Sequence, residues 1–376
     1  MVRRVILILM LAIGMGSPAL GAEKPATLNI GDPAPDFNLP GADGRNYGLK
    51  DFAKARILAI VFTCNHCPTA QAYEERLKKL VADYRGKGAG FVAISPNDPK
   101  ALRLDELGYA DLSDSFEEMK IRAKDRAFNF PYLYDGDKQE VSRAYGPTAT
   151  PHVFIFDADR KLRYTGRIDD SERESAAKTH DVRNALDALL AGKPVPVEKT
   201  RTFGCSIKWA EKRESVAEAM KKLAAEEVAL ETVTAEAAAA LRKNESKKKN
   251  ESEKLRLINV WATWCGPCSV EFPDLVTTNR MYRHRAFEFI TISVDSPGEK
   301  NAVLKFLQKH QASNKNYIYD SADKDKLADA LDKDWSGALP LTLLIRPGGE
   351  IAYKHTGQVE PLELRRAIVK SLGPRK

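Results

Sequence analysis

The sequence contains no apolar run long enough to cross a membrane. A bilayer-spanning helix needs about 20 consecutive apolar residues, whereas the stretch from Val5 to Ile13 has nine. That stretch follows two arginines and precedes small residues at Gly21 and Ala22, which is the pattern of a secretory signal peptide. We therefore predict that residues 1–22 are cleaved, that the mature protein is periplasmic or otherwise exported, and that no stable membrane span remains.

Neither sign of charge dominates the chain. Lys and Arg total 59 against 52 Asp and Glu, a formal net charge of +7, and the lysines are interleaved with glutamates. Surfaces that bind nucleic acid combine clustered Lys and Arg with aromatic residues, and the sequence has no such cluster. We therefore expect no nucleic-acid partner.

Cysteine is scarce, with five residues at positions 64, 67, 205, 265 and 268. Four of them form two Cys-x-x-Cys pairs, which close loops too short to add much stability through chain entropy. Four-cysteine zinc sites place their pairs roughly 15–20 residues apart, but about 200 residues separate these two pairs. The spacing therefore favours two reactive dithiols over structural disulfides or zinc, and we predict no metal and no cofactor.

Each Cys-x-x-Cys pair follows a strand-like apolar run and precedes a helical pattern. A thiol at the start of a helix faces unpaired backbone N–H groups and the positive end of the helix dipole, which favours the thiolate. The leading cysteines, Cys64 and Cys265, are therefore expected to attack disulfides. Cys67 and Cys268, three residues later, are expected to resolve the mixed disulfide by closing a ring.

The two halves of the chain repeat one order of elements. Each has a strand, a Cys-x-x-Cys pair, a helix, further strands and helices, and a strand that opens with proline, at Pro151 and Pro340. Alternating strands and helices predict an α/β fold, and the repetition indicates an internal duplication. We divide the mature chain into domains at 23–208 and 227–376, joined by a charged amphipathic helix at 209–226.

Three local patterns add structural predictions. Turn residues around two short apolar segments predict a hairpin within residues 36–49. Asp114 is a candidate N-cap for the helix that follows it. Residues 228–242 have the pattern of a strand and then a helix.

The second half carries Trp261-Ala-Thr-Trp264-Cys265-Gly-Pro-Cys268, followed by Glu271-Phe-Pro273. This pattern resembles the TlpA/ResA-type exported thiol-disulfide oxidoreductases of the thioredoxin superfamily. The resemblance implies that Glu271 relays a proton to or from Cys268, that Trp264 packs beside the site, and that Pro340 is a cis-proline that shapes substrate backbone pairing. The alternatives are an ordinary surface glutamate and a core tryptophan.

The first half carries Phe62-Thr-Cys64-Asn-His-Cys67-Pro68, Thr150-Pro151-His-Val-Phe and Gly204-Cys205-Ser-Ile-Lys-Trp209. These segments resemble the peroxiredoxin-like (AhpC/TSA-related, redoxin) group of the same superfamily. The implied fold is two tandem thioredoxin-like domains, each a central mixed sheet flanked by helices. Peroxidatic sites use Pro-x-x-x-Thr-x-x-Cys, but counting back from Cys64 gives Val61 and Ile57 at the Thr and Pro positions, which favours dithiol-disulfide chemistry.

The resemblance also suggests roles for Pro151 and Cys205 of the first half, and the chemistry of the imidazole suggests one for His66. Pro151 would be its cis-proline. A His66 imidazolium would stabilise the neighbouring thiolate and make this dithiol the more oxidising of the two, so electrons would flow from the second domain to the first. Cys205 is open to three interpretations: a buried thiol, a third redox partner for Cys64 or Cys67, or a site of intermolecular pairing.

Our leading hypothesis is an exported thiol-disulfide oxidoreductase that exchanges disulfides with envelope dithiol or disulfide proteins and depends on an unidentified upstream reductant. The first alternative is a thiol peroxidase in which Cys64 attacks the peroxide. The second is a thioredoxin-fold metallochaperone, because Cys64, His66 and Cys67 would suit Cu(I).

Overall fold

The computed structural model describes residues 25–245 and 253–375, so the predicted signal peptide at 1–22 lies outside the described residues. Within the described ranges no helix has both the length and the apolar character that a membrane span requires. The described residues form one mixed five-stranded sheet and one mixed six-stranded sheet, each with helices packed on it, together with one small two-stranded sheet.

The first sheet has the strand order β5-β4-β3-β6-β7. Strands β3, β4 and β5 are parallel, and β6 and β7 are antiparallel to their neighbours. The predicted hairpin is confirmed as the antiparallel pair β1–β2. The elements of this half are β1 (Asn38–Pro40), β2 (Asn46–Gly48), β3 (Ile57–Phe62), α1 (Pro68–Arg85), β4 (Ala89–Ser95), α2 (Phe116–Asp125), β5 (Tyr132–Tyr134), α3 (Glu140–Tyr145), β6 (His152–Phe156), β7 (Leu162–Gly166) and α4 (Asp181–Leu190).

The second sheet has the order β13-β12-β9-β10-β11-β8 and repeats the first around its central strand. The strand and helix predicted within residues 228–242 are present as β8 and α6. The elements of this half are α5 (Arg213–Ala224), β8 (Glu231–Val233), α6 (Ala235–Lys243), β9 (Leu255–Trp261), α7 (Gly266–Tyr282), β10 (Phe287–Ser293), α8 (Lys300–Lys309), β11 (Lys315–Tyr319), α9 (Lys324–Leu331), β12 (Leu341–Ile345), β13 (Ile351–Thr356) and α10 (Pro361–Leu372).

The central strands β3 and β9 are largely apolar because helices cover both faces of each sheet. All six residues of β3 are buried, and so are six of the seven in β9. Burying each Leu, Ile or Val side chain contributes roughly 1.5–3 kcal/mol. The chain leaves each central strand at the same edge of its sheet, where a helix begins, and this edge holds the cysteine pairs.

The two halves pack against each other through an apolar cluster. Leu102 and Leu107 of the first half lie in one buried cluster with Leu275, Met281 and Tyr282 of the second. The Tyr282 hydroxyl donates a hydrogen bond of 2.7 Å to the carbonyl oxygen of Ala110. The C-terminal end of α7 is therefore anchored to the first domain.

Helix α7 also separates the second cysteine pair from this interface. Cys265 precedes the first residue of the helix, and Tyr282 is its last. A helix of 17 residues spans roughly 25 Å at about 1.5 Å per residue. At the N-terminal end the side chains of Trp264 and Val270 are exposed, so this end of α7 faces solvent.

Truncation of Leu107 is expected to weaken the packing between the domains. The Leu107→Ala substitution leaves a cavity among buried apolar side chains, so the free energy of unfolding should fall by about 2–4 kcal/mol. Urea unfolding measures this loss. Leu104→Ala is the matched control: Leu104 lies at the same contact but is only partly buried, so its loss should be clearly smaller. Equal losses would show that the cluster does not hold the domains together.

Candidate active site

The second cysteine pair lies at the N-terminus of α7. Cys265 is the N-cap residue, and its sulfur accepts a hydrogen bond of 3.2 Å from the backbone N–H of Cys268. The two cysteines form a disulfide. Unpaired N–H groups and the helix dipole both favour negative charge at this position, so the leading cysteine of this pair lies where the sequence predicts.

Glu271 is buried and lies one turn after Cys268 on α7, on the same face of the helix. Its carboxylate accepts hydrogen bonds from the Asn259 side chain at 2.9 Å and from the Val359 backbone N–H at 2.8 Å. Burial raises the pKa of Glu271 to about 7, although these two hydrogen bonds oppose the rise. Since the side chain is 1% exposed, the alternative of an ordinary surface glutamate is wrong.

The two tryptophans of the second motif have opposite environments. Trp261 is fully buried in the core, whereas Trp264 is 62% exposed. The ammonium of Lys324 lies 5.1 Å from the centroid of the Trp264 ring. The alternative that Trp264 is a core tryptophan is therefore wrong, because Trp264 forms an exposed apolar surface next to Cys265. The buried tryptophan of the motif is Trp261.

Both candidate prolines follow a cis peptide bond, Thr150–Pro151 and Leu339–Pro340. Each immediately precedes a strand that pairs with the central strand of its sheet, β6 with β3 and β12 with β9. The Thr150 carbonyl oxygen lies 3.3 Å from the sulfur of Cys67. In the first domain the proline segment is therefore next to the dithiol.

The first cysteine pair is shifted along the chain relative to the second. Phe62 of β3 pairs with the residue after Pro151, and Val260 of β9 pairs with the residue after Pro340. Phe62 and Val260 therefore occupy equivalent positions in the two domains. Five residues beyond these paired positions lie Cys67 and Cys265, respectively. The expectation that the leading cysteine of each pair starts the helix is therefore wrong for Cys64, because α1 begins at Pro68 and Cys67 is its N-cap residue.

Cys67 is the sulfur that the first site stabilises as a thiolate. Burial by itself raises the pKa of Cys67, but hydrogen bonds from Cys205, Cys64 and the backbone N–H of Ala70 hold this pKa well below the usual range. For Cys64, burial and the contact with Cys67 raise the pKa well above the usual range. The site therefore favours a thiolate at Cys67, at the helix terminus, over one at Cys64.

His66 is held by a carboxylate that the sequence did not indicate. Its Nδ1 lies 2.6 Å from Oδ2 of Asp114 and 3.5 Å from the sulfur of Cys64, and all three side chains are buried. Burial opposes the charged imidazolium, yet the Asp114 charge and hydrogen bond raise the pKa of His66 above its usual value. An imidazolium at this position stabilises the neighbouring thiolate.

The sequence led us to expect that Asp114 caps a helix, but the structure shows that it does not. The N-cap of α2 is Ser115, whose hydroxyl accepts from the N–H of Glu118. The Asp114 carboxylate instead accepts from the backbone N–H groups of Asn65 and His66 and from the Asn97 side chain. The signal in the sequence was only an acidic residue between serines, which is equally typical of a helix start.

Cys64, His66 and Asp114 are the one group in the described ranges whose side chains could jointly hold a metal ion. Their candidate ligand atoms lie within 4.8 Å of one another. This set differs from the predicted one because Asp114 replaces Cys67. Nδ1 of His66 and Oδ2 of Asp114 are in direct contact with each other, so this arrangement favours an internal pair over a metal site.

Cys205 lies against the first cysteine pair, although it is 138 residues beyond Cys67 in the sequence. It is partly exposed, whereas Cys64 and Cys67 are buried. The hydrogen bond to Cys67, with burial, raises the pKa of Cys205 well above the usual range. The fold therefore assembles three thiols at the first site.

Two family matches together cover most of the chain. Residues 30–165 match the AhpC/TSA family, and residues 215–368 match the Redoxin family. Each match includes one Cys-x-x-Cys pair. The predicted class of two thioredoxin-like α/β domains is confirmed by these matches and by the two sheets.

Three similar proteins illustrate the two halves. The chain is 30% identical to the thiol-disulfide oxidoreductase ResA of Oceanobacillus iheyensis over 25% of this chain and 45% of that protein. It is 26% identical to a provisionally named peroxiredoxin of Mycobacterium tuberculosis over 39% of this chain and 82% of that protein. A crystal structure of a hypothetical protein from Sinorhizobium meliloti 1021 has 36% identity, covering 49% of this chain and 97% of that one, with a TM-score of 0.44. The chain spans about half the length of the ResA proteins that it matches.

The pKa of Glu271 predicts how stability depends on pH. Because the folded-state pKa, about 7, lies above the ordinary value of 4.5, the stabilisation from protonated Glu271 is complete below pH 4.5 and is lost as pH rises through 7. The loss is on the order of 3 kcal/mol at most. Urea unfolding of the oxidised protein at pH 5 and pH 8 should show this loss, and Glu271→Gln should remove it. Exposed Glu363 provides the control, Glu363→Gln, which should behave like wild type; an unchanged pH dependence in Glu271→Gln would contradict the assignment.

Removal of the Asp114 charge should reverse the shift at His66. In Asp114→Asn, burial remains while the attraction is lost, so the pKa of His66 should fall below 6.5. A pH titration of the His66 ring by NMR, assigned with His66→Gln, measures the change. Asp111→Asn alters a carboxylate of the same loop that pairs with Arg122 and should leave His66 unaffected. A His66 pKa that stays raised in Asp114→Asn would contradict the proposed pairing.

Proposed function

Because the chain belongs to the thioredoxin superfamily, we propose that it is a redox enzyme, a thiol-disulfide oxidoreductase that exchanges disulfides with protein thiols at two sites. The observation that carries the proposal is shared by both domains: a cysteine sulfur occupies the N-cap position of the helix that follows the central strand. The helix terminus stabilises the thiolate, which is the species that attacks disulfides.

At the second site the reaction begins at Cys265. Its thiolate attacks one sulfur of a partner disulfide, forms a mixed disulfide, and releases the other partner sulfur, which takes a proton. Cys268 then gives its proton to ionised Glu271 and attacks the Cys265 sulfur. The second partner sulfur leaves, the Cys265–Cys268 disulfide closes, and the partner has gained two electrons. Exposed Trp264 supplies an apolar contact for the partner beside the reacting sulfur.

At the first site we assign the attack to Cys67 and the resolving step to Cys64, the reverse of the order suggested by the motif alone. Cys67 occupies the position equivalent to Cys265, and its pKa is the one that is lowered. His66, charged through Asp114, adds positive charge beside the pair. Because this charge favours the reduced, thiolate form, the first dithiol should be the more oxidising of the two.

The proposed setting is the cell envelope, with disulfide-containing or dithiol proteins as partners and an upstream reductant for the second site. The support is the predicted signal peptide at 1–22. We further propose that electrons pass from the second dithiol to the first between molecules rather than within one. Helix α7, roughly 25 Å long, separates Cys265 from the domain interface. Thiol-disulfide exchange requires two sulfurs in contact, and this separation opposes such contact within one molecule.

A second candidate function, thiol peroxidase activity, is favoured by the AhpC/TSA match over residues 30–165 and by the thiolate at Cys67. Counting back from Cys67 in the peroxidatic pattern places Cys64 at the Thr position and Ile60 at the Pro position, so the pattern is absent in this register as well. Hydrogen peroxide consumption separates the candidates. A peroxidase should lose its activity in Cys67→Ser, while the oxidoreductase should consume little peroxide in any form.

The reduction potential of each pair tests the proposed function. Two double variants, Cys64→Ser/Cys67→Ser and Cys265→Ser/Cys268→Ser, each leave one pair in the full-length chain. Equilibration in dithiothreitol or glutathione buffers should give one reversible two-electron couple per variant, with a lower potential for Cys265/Cys268. Reduction of an added protein disulfide should decrease in each variant. The proposal is wrong if neither variant shows a reversible couple.

A further inference from the structure

Cys205 pairs with the backbone of the residue that precedes the cis-proline. The Thr150 N–H donates to the Cys205 carbonyl oxygen at 3.0 Å, and the Cys205 N–H donates to the Thr150 carbonyl oxygen at 3.3 Å. The two residues form an isolated antiparallel bridge. In the described part of the second domain no comparable bridge forms at Leu339. The first domain thus fills, with its own chain, the position next to its cis-proline.

The same bridge brings the Cys205 side chain to the dithiol. The Cys67 sulfur lies 3.3 Å from the Thr150 carbonyl oxygen, the atom that also accepts from the Cys205 N–H. Cys205 packs on the cluster formed by Cys64, Cys67 and Ala70. Its position is therefore that of a substrate sulfur opposite the attacking thiolate.

Gly204 allows the two backbones to approach this closely. Its φ is +138°, and a Cβ built on it would lie 2.0 Å from the Thr150 carbonyl oxygen. Any larger residue would both strain the backbone and push the segment away from Thr150. Glycine is therefore required for the contact that places Cys205.

The segment is also fixed on its other side. The backbone N–H of Lys208 donates to the Asn97 side chain at 2.9 Å, and its buried ammonium pairs with Glu106 at 2.5 Å. The Asp98 N–H donates to the Lys208 carbonyl oxygen at 2.9 Å. These contacts hold Cys205 in one place rather than leaving it on a free loop.

Access to the first dithiol runs through Cys205. Cys67 is 0% exposed and Cys64 is 3% exposed, whereas Cys205 is partly exposed. A protein disulfide in solvent can therefore reach the Cys205 sulfur more readily than the buried sulfurs of Cys64 and Cys67. The buried nucleophile thus has a partly exposed thiol between it and solvent.

We propose that Cys205 is a third catalytic cysteine, the outer thiol through which the Cys64/Cys67 pair exchanges disulfides with external proteins. This inference rests on the proposed oxidoreductase function and adds the route to its first site. It replaces a two-cysteine site with a three-cysteine relay in the order Cys205, Cys67, Cys64.

The proposed relay consists of three successive thiol-disulfide exchange steps. Cys205 passes its proton to the Cys67 thiolate beside it, attacks a partner disulfide and releases one partner thiolate, which takes that proton from Cys67. The Cys67 thiolate attacks the Cys205 sulfur, releases the second partner sulfur and forms a Cys67–Cys205 disulfide. Cys64, losing its proton, attacks Cys67, so the Cys64–Cys67 disulfide forms and Cys205 regains a thiol. The partner gains two electrons from the Cys64/Cys67 pair and two protons. Because Cys67 begins as a thiolate, the pair gives up one proton and solvent supplies the other.

The test uses full-length protein in which Cys265→Ser/Cys268→Ser silences the second site. The reduced protein is mixed with a disulfide-containing protein, and its oxidation is followed by rapid acid quenching and peptide mapping. Addition of Cys205→Ser should slow oxidation of the Cys64/Cys67 pair at least tenfold, while its equilibrium potential in dithiothreitol changes little. Addition of Cys64→Ser instead should trap the Cys67–Cys205 disulfide.

A matched control moves the outer thiol by one residue. Cys205→Ser/Ser206→Cys keeps an exposed thiol on the same segment, but successive side chains of an extended chain point to opposite faces. This variant should form the mixed disulfide with the partner yet fail to oxidise Cys67. The inference is overturned if Cys205→Ser is oxidised at the wild-type rate, or if the shifted thiol restores that rate. If the protein with all three first-site cysteines does not react either, the proposed function fails rather than the relay.

Discussion

Both candidate sites depend on one electrostatic constraint: a cysteine sulfur must bear negative charge although it is buried in the protein. Burial alone disfavours a thiolate, and the cost is offset by the backbone N–H groups at the start of a helix. In the first domain the Ala70 N–H and two neighbouring thiols add to this, and in the second the Cys268 N–H does so. In both halves, the helix that follows the central strand begins where its N–H groups point at a cysteine sulfur.

The two domains surround this sulfur differently, and the difference separates their proposed roles. The second site has an exposed aromatic ring beside Cys265 and a buried carboxyl, Glu271, behind Cys268, so it suits direct contact with a partner and proton transfer at neutral pH. The first site is covered by its own chain at Cys205 and carries a buried His66–Asp114 pair. One scaffold thereby supports an open dithiol and a covered one, in domains that pack against each other at the C-terminal end of α7.

Much of this organisation was predictable from local patterns, and the failures share one cause. The buried strands, the hairpin and the strand and helix at 228–242 follow from apolar runs and turn residues. The offset between the two cysteine pairs could not be predicted from local patterns, because both motifs have the same spacing. Only the pairing of β3 with β6 and of β9 with β12 defines which positions are equivalent. Asp114 is likewise 48 residues from His66, and nothing near it in the sequence marks that contact.

The sequence by itself determined that the chain carries two Cys-x-x-Cys pairs on a duplicated α/β plan, because cysteine spacing and hydrophobic periodicity are local properties. Only the tertiary structure decided which cysteine of the first pair begins the helix, where Cys205 lies, and how far the second dithiol stands from the domain interface. Those features depend on strand register, on the close approach that Gly204 permits, and on packing between residues far apart in the chain. Such contacts form only when the whole fold does, so no short segment encodes them.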